Sequence, residues 1–281
     1  MDGQLFPFPG DMRLQNPYTH QPIVSQVIIQ AATLSTSPYL DDCVAAALVN
    51  PANVFFNERK LMLWRVHEDS QGVGSGGLEF AAHDLVDLIY YTGAFFFVSL
   101  GGELLIIGPD QLPPGATALQ GQPVRLHVQI DYQFDPELDI YTQYLLQSRG
   151  DLLMVTKLGD GFGTAQFVVF RLEWLPGDNP VFSWRIHDLD GRIIFVSPGC
   201  SRAYEIENLR GAEEGIYFKD DSPHRQEMEE REHYDRADFT KDAGVCTAPI
   251  DGDVENLFDL PHQQDGLLTH SASVWVLPRL D

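Results

Sequence analysis

The chain has 281 residues, 44% of them hydrophobic and 21% charged, which is enough apolar material for a sizeable core and too much for a disordered protein. Lys plus Arg total 18 against 41 Asp plus Glu, a formal charge of −23, and a surface of that sign repels phosphate backbones and anionic lipid, so neither nucleic-acid nor membrane binding is expected. Three cysteines, Cys43, Cys200 and Cys246, stand far apart without a Cys-x-x-Cys pair, which points away from a zinc site or disulfide framework and towards a reducing, intracellular compartment, cytoplasm or nucleus.

Residues 1–7 carry neither a basic segment nor an apolar run, so they do not read as a secretory signal. The uncharged apolar stretch 88–102 is broken by Thr92-Gly93 and falls short of the roughly 20 residues a membrane helix needs.

In chain order, strand patterns recur and helical periodicity is scarce, which predicts an all-β fold. Residues 43–49, 54–56 and 61–66 form a first cluster of apolar runs, joined by Asn50-Pro51-Ala52-Asn53 and a short charged link. Residues 85–91, 94–100 and 103–107 repeat the plan across Thr92-Gly93 and Gly101-Gly102, and 140–147, 151–158 and 165–174 repeat it again. Asp190-Gly191 and Asp251-Gly252 lie between apolar runs, the pattern of a two-residue hairpin with positive φ at both central positions. Each cluster reads as a small meander. A propeller blade takes about 40–50 residues in four strands, so the length holds about five to six blades of four-stranded antiparallel meanders, in one domain over 1–281. A β-sandwich is the competing all-β architecture. Three segments break the pattern: the glycine-rich 71–77, the Pro- and Gly-rich 108–122, and a charged excursion at 223–240.

Few motifs carry chemistry. Gly72-Val73-Gly74-Ser75-Gly76-Gly77 matches a dinucleotide-binding spacing, but no helix periodicity follows it and no βαβ unit surrounds it, so it reads as a surface loop. Arg149-Gly150-Asp151 lies between two apolar runs and reads as a hairpin turn rather than an adhesion motif. Asp41-Asp42, Asp188, Asp190 and Asp220-Asp221 invite a carboxylate-pair or calcium hypothesis. Adjacent aspartates at a strand end point to opposite sides, however, and aspartate in a turn caps its own backbone, so structural or solvated roles are expected. Nine histidines are scattered singly, leaving a zinc hydrolase without a ligand set. Cys200-Ser201-Arg202 could place a thiol beside an activating cation. The competing expectation is a packed corner, with Ser201 bonded to backbone, Arg202 paired with a carboxylate of a neighbouring strand and Cys200 buried. Trp64, Trp174, Trp184 and Trp275 fall on strand patterns and read as core.

Residues 182–221 contain two apolar runs about Asp190-Gly191, the Gly199-Cys200-Ser201-Arg202 corner, and a short aromatic run ending in Asp220-Asp221. This stretch resembles the signature of the plant KIB-type β-propeller family, also called domain of unknown function 295, whose members often follow an F-box. The matching positions are Trp184, Leu189, Gly191, Arg192, Phe195, Cys200, Ser201, Arg202, Ala203, Ile216, Tyr217, Phe218, Asp220 and Asp221. Asn16-Pro17 with Thr19, Asp242-Ala243-Gly244-Val245 and Trp275-Val276-Leu277-Pro278 extend the resemblance to both ends. It implies a β-propeller, and the signature residues read as structural. In the family an F-box and an opening blade precede the Asn-Pro turn, whereas fifteen residues stand before Asn16 here. The expectation is therefore a propeller incomplete at its N-terminus, or one closed differently.

The functional expectation is a non-enzymatic recognition propeller with no catalytic, cofactor or metal site, whose acidic surface takes a basic partner protein. Relatives with an F-box would be substrate receptors of a cullin ubiquitin ligase, an adaptor contact expected here only if an F-box lies upstream. The alternatives are a propeller hydrolase with carboxylates at the central channel, and a truncated paralogue without a selected function.

Overall fold

A computed structural model describes residues 11–15, 22–51, 59–66, 80–81, 84–114, 119–130, 134–160, 164–174, 181–209, 213–218 and 244–246. The segments at 71–77 and 223–240, the Asn16-Pro17 and Asp251-Gly252 turns, Asp220-Asp221 and Trp275 lie outside the described residues. The chain divides into two compact units, Met1–Arg125 and Leu126–Asp281.

In the first unit, β1 (Asp11–Gln15), β2 (Pro22–Leu34), β3 (Val44–Pro51), β4 (Lys60–Arg65) and β5 (Phe80–Ala81) pair antiparallel in chain order. β6 (Leu85–Tyr91), β7 (Ala94–Ser99) and β8 (Glu103–Ile107) form a second meander. Period-2 alternation divides β3 between two cores. Val44, Ala46 and Leu48 pack with Leu88, Phe95 and Phe97. Ala45, Ala47 and Val49 pack with Met62 and Trp64 on the opposite face. Phe95 and Phe97 are fully buried, worth about 1.5–3 kcal/mol each in apolar burial. The β6–β7 turn places Thr92 at φ 45° and Gly93 at φ 90°, the positive pair that matches a two-residue turn to the twist of its strands. Asp87 is fully buried, and the guanidinium of Arg59, which donates to the Leu85 carbonyl, is pulled to a lower pKa by burial while the Asp87 charge opposes that shift.

In the second unit, β10 (Asp139–Ser148), β11 (Asp151–Gly159), β12 (Thr164–Trp174) and β13 (Val181–Ile186) form a four-stranded antiparallel meander. β9 (Val124–Ile130) joins its far side, parallel to β13, with Val128 opposite Val181. A second sheet has the order β15-β14-β16-β17, built from β14 (Arg192–Val196), β15 (Arg202–Glu205), β16 (Gly215–Phe218) and β17 (Gly244–Cys246), with β14 parallel to β16. The two parallel pairings supplement the antiparallel meanders. Tyr144, Leu146, Leu153, Val155, Phe167 and Val169 of the first sheet pack with Ile194, Val196, Ile216 and Phe218 of the second. The Phe167 and Phe218 rings meet at 5.0 Å, and the fully buried Lys157 sets its ammonium 5.1 Å from the Phe218 centroid.

Arg149-Gly150 is the tight turn the sequence predicts, with φ 51° and 89° and Ser148 opposite Asp151. Asp190-Gly191 differs. Both residues have positive φ, 53° and 75°, yet β13 pairs with β12 and β9 while β14 pairs with β15 and β16. The turn therefore carries the chain from one sheet to the other instead of closing a hairpin. The burial of Leu189 between the sheets fits this course: its side chain is held in the shared core, while its carbonyl accepts from the Arg192 amide at 3.2 Å and closes the turn itself.

Gln143 and Thr156 stand opposite each other on β10 and β11 and are fully buried. Neither the amide of Gln143 nor the hydroxyl of Thr156 has a hydrogen-bond partner among the described residues. An unsatisfied buried polar group costs about 1–3 kcal/mol, whereas an apolar pair of the same shape costs little. The double variant Gln143→Met, Thr156→Val is expected to match or exceed the parent in stability by up to about 2 kcal/mol in urea titration. A loss of that size would show that the pair's polarity is needed.

Candidate functional site

The signature residues gather on the β15-β14-β16-β17 sheet, and the register separates them by face. Ile194, Val196, Ala203, Ile216 and Phe218 point into the core between the sheets. Phe195 is opposite Arg202 on one side and Tyr217 on the other, so Arg202, Phe195 and Tyr217 form a row across three strands on the sheet's other face. Phe195 stacks on Tyr217 at 5.1 Å with a 30° interplanar angle and meets the edge of Tyr204 at 6.1 Å. Tyr217 is fixed from its far end, because its hydroxyl donates to the Glu213 carbonyl at 3.1 Å and accepts from the Glu213 amide at 3.2 Å. Phe195 is buried, Tyr204 and Tyr217 are half-buried and Arg202 is exposed. The result is an aromatic floor with a cation at one end.

A corner between β14 and β15 sets Arg202 in place. Ser201 is 2% exposed, and its hydroxyl accepts from the Ser197 amide at 3.1 Å and donates to the Ser197 carbonyl at 2.9 Å. Gly199 supplies the positive φ, 69°, that the bend requires. Arg202 departs from expectation: among the described residues its guanidinium donates to the Ser201 carbonyl at 3.0 Å and to no carboxylate. Strand alternation explains this, since a buried Ser201 turns its neighbour outward. Cys200 is half-buried rather than buried, while Cys246 is fully buried. Arg192 lies opposite Glu205, with one terminal nitrogen donating to the Leu189 carbonyl at 3.0 Å. The backbone of Trp184 pairs with Arg171 in the β12–β13 ladder, and its side chain lies outside the described residues.

Sequence reasoning missed the clamp beside this face. Arg149, at the β10–β11 turn, donates to the Asp190 carboxylate, to the Asp190 carbonyl at 2.7 Å, and to both carboxylate oxygens of Glu205 at 2.9 and 2.6 Å. Its partners lie 41 and 56 residues away in sequence, so no local spacing could have signalled them. The bidentate Arg149 bond, more than any other influence, holds the Glu205 carboxyl below the usual glutamate range, and the two carboxylates raise the Arg149 pKa further. Around the clamp, Asp188, Asp190, Glu207 and Glu213 are exposed. Asp188 accepts from the Asp190 amide at 2.8 Å and the half-buried Glu214 from the Gly191 amide at 2.7 Å, so Asp188 and Glu214 act on the turn itself.

Among the described residues, no group of three or more His, Cys, Asp or Glu side chains is gathered as a metal site requires. Nor is any helix of the described residues long and apolar enough to cross a membrane, a statement that does not bear on strands.

Antiparallel meanders with tight positive-φ turns make this an all-β protein. The chain matches the KIB1-4 β-propeller family over residues 4–245 and belongs to that family, and the match makes the fold a β-propeller. No curated protein matches it.

Two variants separate the corner's structural and exposed parts. Ser201→Ala leaves the Ser197 amide and carbonyl without their shared hydroxyl and is expected to cost about 1–3 kcal/mol in urea titration. Arg202→Ala, on the exposed side, is expected to change stability by no more than about 0.5 kcal/mol. Equal losses would contradict this division.

Glu205 has a depressed folded-state pKa, so its contribution to stability is present above the unfolded glutamate value of about 4.3 and is lost as pH falls through the folded value. Arg149→Gln removes that contribution. The expected outcome is a small drop in Tm at pH 7 that shrinks with added salt, as for exposed ion pairs, and closes towards pH 3. A gap that widens in acid would refute the assignment.

Proposed function

We propose that this chain is a non-enzymatic recognition propeller whose β15-β14-β16 face docks a basic partner protein inside the cell. The observation that carries the reading is the cross-strand row of Arg202, Phe195 and Tyr217 with Tyr204 beside it. Tyr and Arg on a rigid support are the side chains that dominate binding energy at protein interfaces. Here a hydrogen-bonded corner and a stacked ring hold them in place before binding, which lowers the entropy lost on association. A net charge of −23 and the exposed Glu213, whose backbone holds the Tyr217 hydroxyl, favour a partner rich in Lys and Arg and speed its encounter. The finer role, presenting that partner to a cullin ubiquitin ligase, requires an adaptor-binding segment joined to the propeller. An intact endogenous mass well above 31.5 kDa would support it.

The test is quantitative affinity purification with the full chain and with Arg202→Ala, each at low and at raised salt. A basic protein should be retained at low salt, released as salt rises, and depleted about tenfold by Arg202→Ala while the variant's Tm is unchanged. Absence of any reproducible salt-sensitive partner would overturn the reading.

A further inference from the structure

The loop between β2 and β3, residues 35–43, combines a fixed backbone with an apolar tip. Its base is tied twice: the Ser35 amide donates to the Val44 carbonyl at 2.8 Å, and the Val44 amide donates to the Ser35 hydroxyl at 2.9 Å. Inside the loop, the Leu40 amide donates to the Ser37 carbonyl and the Cys43 amide to the Leu40 carbonyl, each at 3.0 Å. Cys43 anchors the return. It is fully buried, its thiol donates to the Thr36 carbonyl at 3.5 Å, and burial raises its pKa and so keeps it a neutral thiol. At the tip, Tyr39 is 63% and Leu40 50% exposed, and Asp41 and Asp42 are exposed immediately after them. Leu34, the last residue of β2, is 39% exposed at the loop's entrance.

Single exposed apolar residues are ordinary. An adjacent Tyr and Leu at the tip of a pinned loop, followed by two carboxylates, form a compact anchor of a different kind. We infer that residues 34–42 form a second docking element, which takes a partner segment carrying an apolar side chain flanked by Lys or Arg. Tyr39 and Leu40 supply the buried contact and Asp41 and Asp42 select the charge. The segment 35–43 contains no Lys or Arg, so nothing within it offsets the two carboxylates. The same charge argues against the other occupants: a second copy of this chain or an anionic surface would bring like charge to the site. The inference rests on the reading of the protein as a recognition propeller and adds a surface separate in sequence from the β15-β14-β16 face.

The test uses a phage-displayed library of short random peptides, panned on the full chain at low salt. The selected peptides should pair Lys or Arg with Leu, Phe or Trp. A synthetic copy of the leading peptide should lose on the order of tenfold in affinity with Tyr39→Ser, Leu40→Ser and with Asp41→Lys, Asp42→Lys, and weaken with added salt. All four side chains are exposed, so both double variants should keep the parent Tm, which controls for misfolding. If basic-apolar peptides are selected but bind the loop variants as tightly as the parent, this loop is not the docking element, while the recognition reading stands. Selection of acidic or charge-neutral peptides, or of none, overturns the proposal. The affinity purification of the full chain then decides separately whether the recognition reading survives.

Discussion

Burial on both faces of the central strands is the constraint on which the rest depends. From Leu152 to Gly159, β11 has no exposed residue, and residues 43–49, which include most of β3, are buried throughout. Such strands cannot alternate apolar with polar side chains, because neither face meets water. They are therefore almost continuously apolar, Thr156 and Lys157 of β11 excepted, and their turns must be tight enough to reverse the chain without lengthening the strands. Arg149-Gly150 and Thr92-Gly93 meet that need with positive φ at both positions. The constraint also explains why polar residues on these strands are consequential: Gln143, Thr156 and Lys157 sit where a solvated side chain has no room.

The same constraint divides the signature into framework and surface. Leu189, Ile216 and Phe218 belong to the core between two sheets, and Ser201 closes a buried corner. Arg202, Tyr204 and Tyr217 share the sheet's other face, and their positions follow from the framework by strand alternation alone. A packed corner and a candidate contact surface are therefore adjacent residues of one motif. That is why a single sequence pattern can mark both the fold and the place where a partner would bind.

Much of the architecture was legible in the sequence because it is local. Apolar runs broken by Thr92-Gly93, Gly101-Gly102 and Arg149-Gly150 located β6–β8 and β10–β12 to within a residue or two. What was not legible is decided by distant contacts. The positive φ values at Asp190-Gly191 are the same whether the flanking strands pair or diverge, and only the burial of Leu189 tells which occurs. The parallel pairings of β9 with β13 and of β14 with β16 leave no local trace. Arg202 was misjudged for a different reason. Charge invited the expectation of a partner, whereas the alternation set by Ser201 would have turned it outward.

The β9–β13 pairing has a consequence for the order in which the second unit can form. β9 precedes the four-strand meander in the chain and β13 closes it, so the β13 partner of β9 is not available until the whole intervening sequence has been made. Each hairpin within the meander can form as soon as its own turn is available, but this junction is a late, non-local event whose loop-closure entropy is lost before any contact repays it. The sheet would fold from its middle outwards. Val128 and Val181, an unremarkable aliphatic pair in the finished molecule, mark the junction at which β9 meets the completed meander.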